Sequence, residues 1–334
     1  MNAIVFALRQ GLRAVRRNAG LTLLLLVVNL GFAALLAVPL AGLLERDLSS
    51  TDSAAEMMYG SSFPWWSRFS DAQRGWTESF SPEILGTGFA YRNVELLLQG
   101  QLPLGLFARG EDRQGRLDPV ILGFGALYLV LQLFLTGGLL AVFRSPDSGW
   151  KLRGLLHGSG FYFGRFLRIA LLALACDGLL FWLNAPFARW VDHLAIEAVS
   201  ETTAMALALG RHALLFLALL FVHLVSSYAK VITVVEERGS ALLAFLSSLA
   251  FCLGNLLRTT GHFLAIVLLG AVAVVVWNAL DARWETTGYK TQLVALLLAQ
   301  VLVLARLALR LALLAGQVAL FRHLTAPETG GGAA

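Results

Sequence analysis

Charge is scarce in this sequence. Only 14% of its 334 residues are charged, while 57% are hydrophobic; soluble globular domains carry about a quarter charged residues. A water-soluble globule is thereby excluded. Cysteine is nearly missing: Cys176 and Cys252 both fall in or beside apolar segments, and neither a disulfide framework nor a metal cluster fits without paired spacings. Lysine occurs only at Lys151, Lys230 and Lys290, so the basic residues are almost all arginine, a usage that points to a GC-rich bacterial genome. No linker rich in Pro, Ser or charge separates a second domain. The only low-complexity stretch is the tail Glu328–Ala334, with the composition of a disordered end.

Enzyme motifs are missing too. There is no His-Glu-x-x-His pair, Walker loop, Gly-x-Ser-x-Gly elbow or Cys-x-x-Cys. His157-Gly158-Ser159-Gly160 has a serine among glycines, but no acid and base accompany it, and its glycines are expected to relax a short helix. No catalytic residue, metal ligand or cofactor is expected. The formal charge of +5 is spread over the flanks of apolar segments rather than one soluble face, which favours a membrane surface over nucleic acid.

What is present is long apolar runs. A span needs about 20 mostly apolar residues, and six such runs are expected: Leu21–Leu44, Pro119–Phe143, Phe166–Phe187, His212–Val235, Phe263–Leu280 and Gln292–Leu314. The first is too long for a signal-peptide core and no small-x-small site precedes Glu45, so it reads as an anchor. The fold class is all-α, a polytopic transmembrane bundle forming one domain over 1–326, with an outer loop at 45–118 and a disordered tail at 327–334.

Orientation follows from arginine and lysine in short loops. One side holds Arg9, Arg13, Arg16 and Arg17, then Arg144, Lys151, Arg153, Arg165 and Arg168. It also holds Lys230, Arg238 and Arg258, and finally Arg306, Arg310 and Arg322. The other side has only Arg189, Arg211, Arg283 and Lys290 in its short loops. Both termini are therefore expected in the cytoplasm.

Each pair of spans is preceded by a segment with a helical apolar stripe. Ile4, Leu8, Leu12 and Val15 form the first, opposite the four N-terminal arginines; Leu242, Leu246, Leu249 and Leu253 form the third, opposite Ser240, Ala244 and Ser247. The middle copy, around Trp150–Phe163, is interrupted by Gly154, Gly158 and Gly160. The junctions Arg17-Asn18-Ala19-Gly20, Gly164-Arg165-Phe166-Leu167-Arg168 and Gly254-Asn255-Leu256-Leu257-Arg258 are alike. Three units of interfacial helix, span out and span back would be related by an axis along the membrane normal. Such helices either bind lipid or a cytoplasmic partner, or simply seal the rim. Arg9, Arg13, Arg16 and Arg17 are the candidates for anionic lipid.

The outer loop clusters Phe63, Trp65, Trp66, Phe69 and Trp76, residues expected at headgroup level. Val94–Leu98 and Leu102–Phe107 are apolar but too short to cross. The loop is either a lid or a surface cap.

Ionisable groups inside a span are functional candidates by default. Asp177 lies near the middle of the third span and His223 at similar depth in the fourth. Arg306 and Gln300 lie in the sixth, with Gln132, Asn29 and Asn184 at related depths. Asp177 either works in a hydrated cavity or is locked to Arg306 or His223 as scaffold. Lys230, Arg306 and Arg310 are expected to anchor the rim by snorkelling.

Tyr228–Thr260 ends a span at Glu236-Glu237-Arg238-Gly239-Ser240, continues as a helix, and steps into the next span at Gly254-Asn255. This stretch resembles a pattern in bacterial polytopic membrane proteins: the membrane domain found with some glycerophosphodiester phosphodiesterases, and the YciC-like proteins. Leu135-Thr136-Gly137-Gly138-Leu139 is similar in character. The resemblance implies a helix bundle with cytoplasmic interfacial helices; it carries over no catalytic residue. The functional expectation is a non-enzymatic bacterial inner-membrane protein that supports a membrane process by binding lipid or a partner complex. The alternative is a small transporter or permease component using the polar site around Asp177. Membrane lipids are the expected partners, with a membrane-protein partner or a second copy of the chain also open.

Overall fold

The computed structural model describes residues 2–49, 63–72, 76–77, 119–145, 151–198, 200–281, 283 and 289–326. The loop segments 94–98 and 102–107 and the tail 327–334 lie outside the described residues. Among the described residues there are nine α-helices and no strand. They are α1 (Ala3–Arg17), α2 (Ala19–Ser49), α3 (Phe63–Ala72), α4 (Pro119–Arg144), α5 (Leu152–Ile196), α6 (Glu201–Val235), α7 (Ala241–Gly254), α8 (Leu256–Asp281) and α9 (Tyr289–Thr325). Six of them, α2, α4, α5, α6, α8 and α9, are long and apolar enough to cross a membrane. Each contains one expected span.

The chain divides into two compact units. The larger holds the chain up to Leu25, Leu131–Ala273 and the chain from Val303. In it, α1 and α7 are built the same way. The side chain of Asn2 accepts from the Ile4 N–H at 3.1 Å, and that of Ser240 from the Leu243 N–H at 3.4 Å, satisfying first-turn donors. At the other end Asn18 and Asn255 leave helical geometry, at φ −118° and −129°. Their side-chain amides donate back to Ala14 O (2.9 Å) and Phe251 O (3.3 Å). An asparagine that bonds its own preceding turn lets the chain break and restart as a span.

The middle copy departs from expectation. No separate interfacial helix exists there: α5 runs unbroken for 45 residues. Phe166 stands where the other copies have asparagine, so nothing competes with the helical ladder. Gly158 does not loosen the helix either. A Cβ there would press on the Ala141 side chain, and one at Gly138 would meet the Leu155 carbonyl and Ser159 Oγ. These glycines allow α4 and α5 to approach backbone to backbone.

Register makes the three copies comparable. Ala7, Leu155 and Ala244 are buried; four residues on, so are Gly11, Ser159 and Ser248. Asn18, Phe166 and Asn255 follow seven residues later. Each copy packs on the return span of another. Gly11 lies against Ala312 and Gly316 of α9, Ser159 against Gly138 of α4, and Ser248 Oγ donates to Val225 O of α6 at 2.6 Å.

The face of α7 that packs is therefore the small one, with Leu249 of the stripe half-buried beside it. Leu242, Leu246 and Leu253 are 54%, 51% and 59% exposed, while Ala244, Ser248 and Cys252 are buried. Where lipid is the solvent, leucine faces outward without cost and small residues mark protein contacts. Cys252 belongs to a core with Ala7, Leu224, Tyr228 and Leu320. Burial pushes its thiol up to about 12, against a smaller opposing effect from Ser248, so it stays a neutral, unreactive thiol.

The smaller unit, Leu26–Val130 and Val274–Leu302, is held by aromatics. Phe32 packs on Phe124 and Tyr128, and the Tyr128 hydroxyl donates to Asn29 Oδ1 at 2.5 Å. On α3, Trp65 stacks on Phe69 and donates its indole N–H to Asp47 Oδ2 at 2.8 Å. Both rings are 2% exposed, so Trp65 and Phe69 are internal to this unit rather than spread on a surface. Asp47 supplies the acceptor that a buried indole needs.

Candidate functional site

The C-terminal ends of α4, α6 and α9 meet at the rim of the larger unit. Glu237, just past α6, sits at φ 53° and its carboxylate takes a hydrogen bond from Arg144. Arg322 donates to the Arg144 carbonyl at 2.7 Å, where a cation suits the exposed acceptors of a helix end. These bonds set Arg322 beside α1.

A groove of about 580 Å³ opens there. Phe6, Ala14, Phe143, Ala315, Val318 and Ala319 make its apolar wall; Arg13, Arg17 and Arg322 stand over it with Gln10 and His323. Arg13 and Arg17 are one turn apart, hence on one face of α1. The His323 ring lies on Phe6, with centroids 4.8 Å apart. Among the described residues no acidic side chain lines the groove. Chemically it offers guanidinium donors above an apolar slot of small-molecule size, which fits an anionic headgroup with an acyl chain.

Of the four arginines expected to meet anionic lipid, Arg13 and Arg17 line this groove, while Arg9 and Arg16 are exposed elsewhere on α1. Sequence reasoning used Arg322 only for orientation and did not single out Phe6, Gln10, Phe143 or His323. The arginine pair at i and i+4 was a local signal; Arg322, far along the chain, had none.

The intramembrane candidates are not brought together. Asp177 is half-buried and its Oδ1 has no hydrogen-bond partner. No ion pair or hydrogen bond among the described residues joins it to His223 or Arg306. Both of those side chains are exposed, and His223 lies edge-on to Phe263 with ring centroids 5.9 Å apart. Gln300 belongs to the smaller unit, with its Oε1 unpartnered. Arg310 does not snorkel as expected: it turns inward to Gln132 Oε1 and, at 3.4 Å, Thr136 Oγ1 on α4. Leu135–Leu139 thus serves as a helix contact. Ser159 is also buried against α4, which removes any resemblance to an accessible nucleophile.

Fold and site together define an all-α, multi-pass membrane protein with a basic groove at one rim. Comparison of the chain with family models, curated proteins and solved structures returns no match.

Proposed function

We propose that this is a non-enzymatic protein of the bacterial inner membrane that binds anionic phospholipid at its cytoplasmic rim and so supports a membrane process. The observation that carries this is the convergence of Arg13, Arg17 and Arg322 on one apolar groove. The cytoplasmic side follows from the excess of arginine near that rim, and the resemblance of Tyr228–Thr260 to YciC-like proteins implies the same placement. Outward leucines of α7 give a second surface for acyl chains or for a membrane partner, including another copy of the chain.

The test is native mass spectrometry of the full chain released from nanodiscs of mixed phosphatidylglycerol and phosphatidylcholine. The wild type should retain phosphatidylglycerol preferentially. Arg13→Gln/Arg17→Gln/Arg322→Gln should lose that preference by about a hundredfold, since three charged contacts contribute on the order of 1 kcal/mol each. Unchanged retention in the triple variant would sink the proposal.

The transport alternative rests on the unpartnered Asp177 Oδ1 inside the bundle. It predicts that Asp177→Asn abolishes solute flux in proteoliposomes while leaving the melting profile intact. An Asn variant indistinguishable in flux, with the same fold, removes that role.

A further inference from the structure

The rim groove is asymmetric across its width. Phe143 of α4 and Ala315 and Val318 of α9, on its apolar side, are buried. Arg13 and Arg322, which line the same groove, are exposed. The lining therefore matches an amphiphile whose chain lies on the buried side and whose charge stays at the mouth.

The apolar part is narrow. Packed helices run about 8–10 Å apart, so space opens between them only where side chains are short. Here the short ones are Ala14 on α1 and, one turn apart on α9, Ala315 and Ala319. The channel they leave is as wide as the side chains they lack, which is the width of one hydrocarbon chain. Beside the groove the seam of α1 and α9 is closed by backbone. A Cβ at Gly11 would overlap Ala312 O, and one at Gly316 would lie 3.0 Å from Ala7 O. A second chain finds no entry there. The groove volume of about 580 Å³ accords with one drug-sized ligand rather than a two-chain phospholipid.

We propose that the groove is a site for an anionic lipid with a single acyl chain, a lysophospholipid. This rests on the lipid-binding reading of the groove and adds the number of chains it accepts. A diacyl lipid presents the same phosphate, but its second chain must be held against the outside of the bundle, at a cost in chain freedom.

The test is native mass spectrometry of the full chain released from phosphatidylcholine nanodiscs. These hold equal small amounts of phosphatidylglycerol, lysophosphatidylglycerol and lysophosphatidylcholine. The first two share a headgroup and differ in chain number; the last two share a chain and differ in charge. Lysophosphatidylglycerol should be retained over phosphatidylglycerol by about fivefold, which is about 1 kcal/mol, and over lysophosphatidylcholine as well. Ala319 and Ala14 are half-buried at the slot, so a larger side chain at either fills it and leaves the arginines in place. Ala319→Leu and, independently, Ala14→Leu should lose the preference for one chain over two while keeping the wild-type melting profile.

Two results overturn the proposal: equal or weaker retention of the single-chain anion in the wild type, or a single-chain preference that survives in both slot-filling variants. In either case the headgroup is held while the chains stay in the bilayer. The arginine triple variant reports the headgroup and the one-chain against two-chain comparison reports the slot, so lipid binding can stand while the chain count fails.

Discussion

α1 and α7 are alike wherever they touch the bundle. Both are capped by a side-chain oxygen at the start, both bury a small-residue face, and both end at an asparagine that bonds its own preceding turn. They differ on the other side: α1 carries Arg9, Arg13, Arg16 and Arg17, whereas α7 carries Leu242, Leu243, Leu246 and Leu253. The same structural device therefore works with or without the arginines. The folding requirement lives on the small face, and the basic face is free to serve another purpose.

The sharpest way to break this comparison is to enlarge the small face. A Cβ at Gly11 already falls on the Ala312 carbonyl and close to the Gly316 nitrogen, which are backbone and cannot turn aside. Gly11→Leu should lower stability by about 3 kcal/mol, the upper end of overpacking effects, seen as a large fall in the detergent melting temperature. Ala244→Leu on α7 should behave alike, because Ala244 is as fully buried as Ala7. Leu246→Ala on the outward face should cost well under about 1 kcal/mol. Equal sensitivity of the two faces would show that the leucines bind the helix to the bundle as much as the small residues do.

A smaller effect separates the junctions. Asn18→Ala removes a 2.9 Å bond and Asn255→Ala a 3.3 Å one, so costs of about 1 kcal/mol and somewhat less are expected. Thermal melts of the two variants should rank in that order. If neither variant differs from wild type, the breaks are held by packing alone, and the absence of asparagine in α5 is incidental.

These contrasts also explain what was legible beforehand. Six spans were readable because a run of some twenty apolar residues has few other uses. The interfacial helices were readable as helices, but their orientation was not. The leucine stripe marked an interfacial helix without saying which face meets the bundle, and Leu242 and Leu246 point outward. The small pattern Ala7–Gly11, Ala244–Ser248 was the better signal. The unbroken α5 was hidden because glycines read as breakers, although Gly158 is where α4 needs close approach. Arg13 and Arg17 were legible as one face of a helix. Arg322 and the inward turn of Arg310 depend on partners on α4, which no local spacing announces.

The smallest expected effect concerns the rim that positions the groove. Glu237 occupies the left-handed region, where glycine is easier by about 1 kcal/mol. In return its carboxylate meets Arg144, but the two side chains are 61% and 32% exposed, and such a pair contributes between about 0 and 1 kcal/mol. Glu237→Gly relieves the backbone and loses the pair, so its melting temperature should equal or slightly exceed the wild type. Arg144→Gln loses the pair and keeps the backbone strain, so it should melt lower. The Arg144 carbonyl still receives Arg322 in both variants, which keeps the groove cation in place. Should Glu237→Gly melt below Arg144→Gln, the carboxylate does more at this rim than pair with one arginine, and its next partner should be sought along α1.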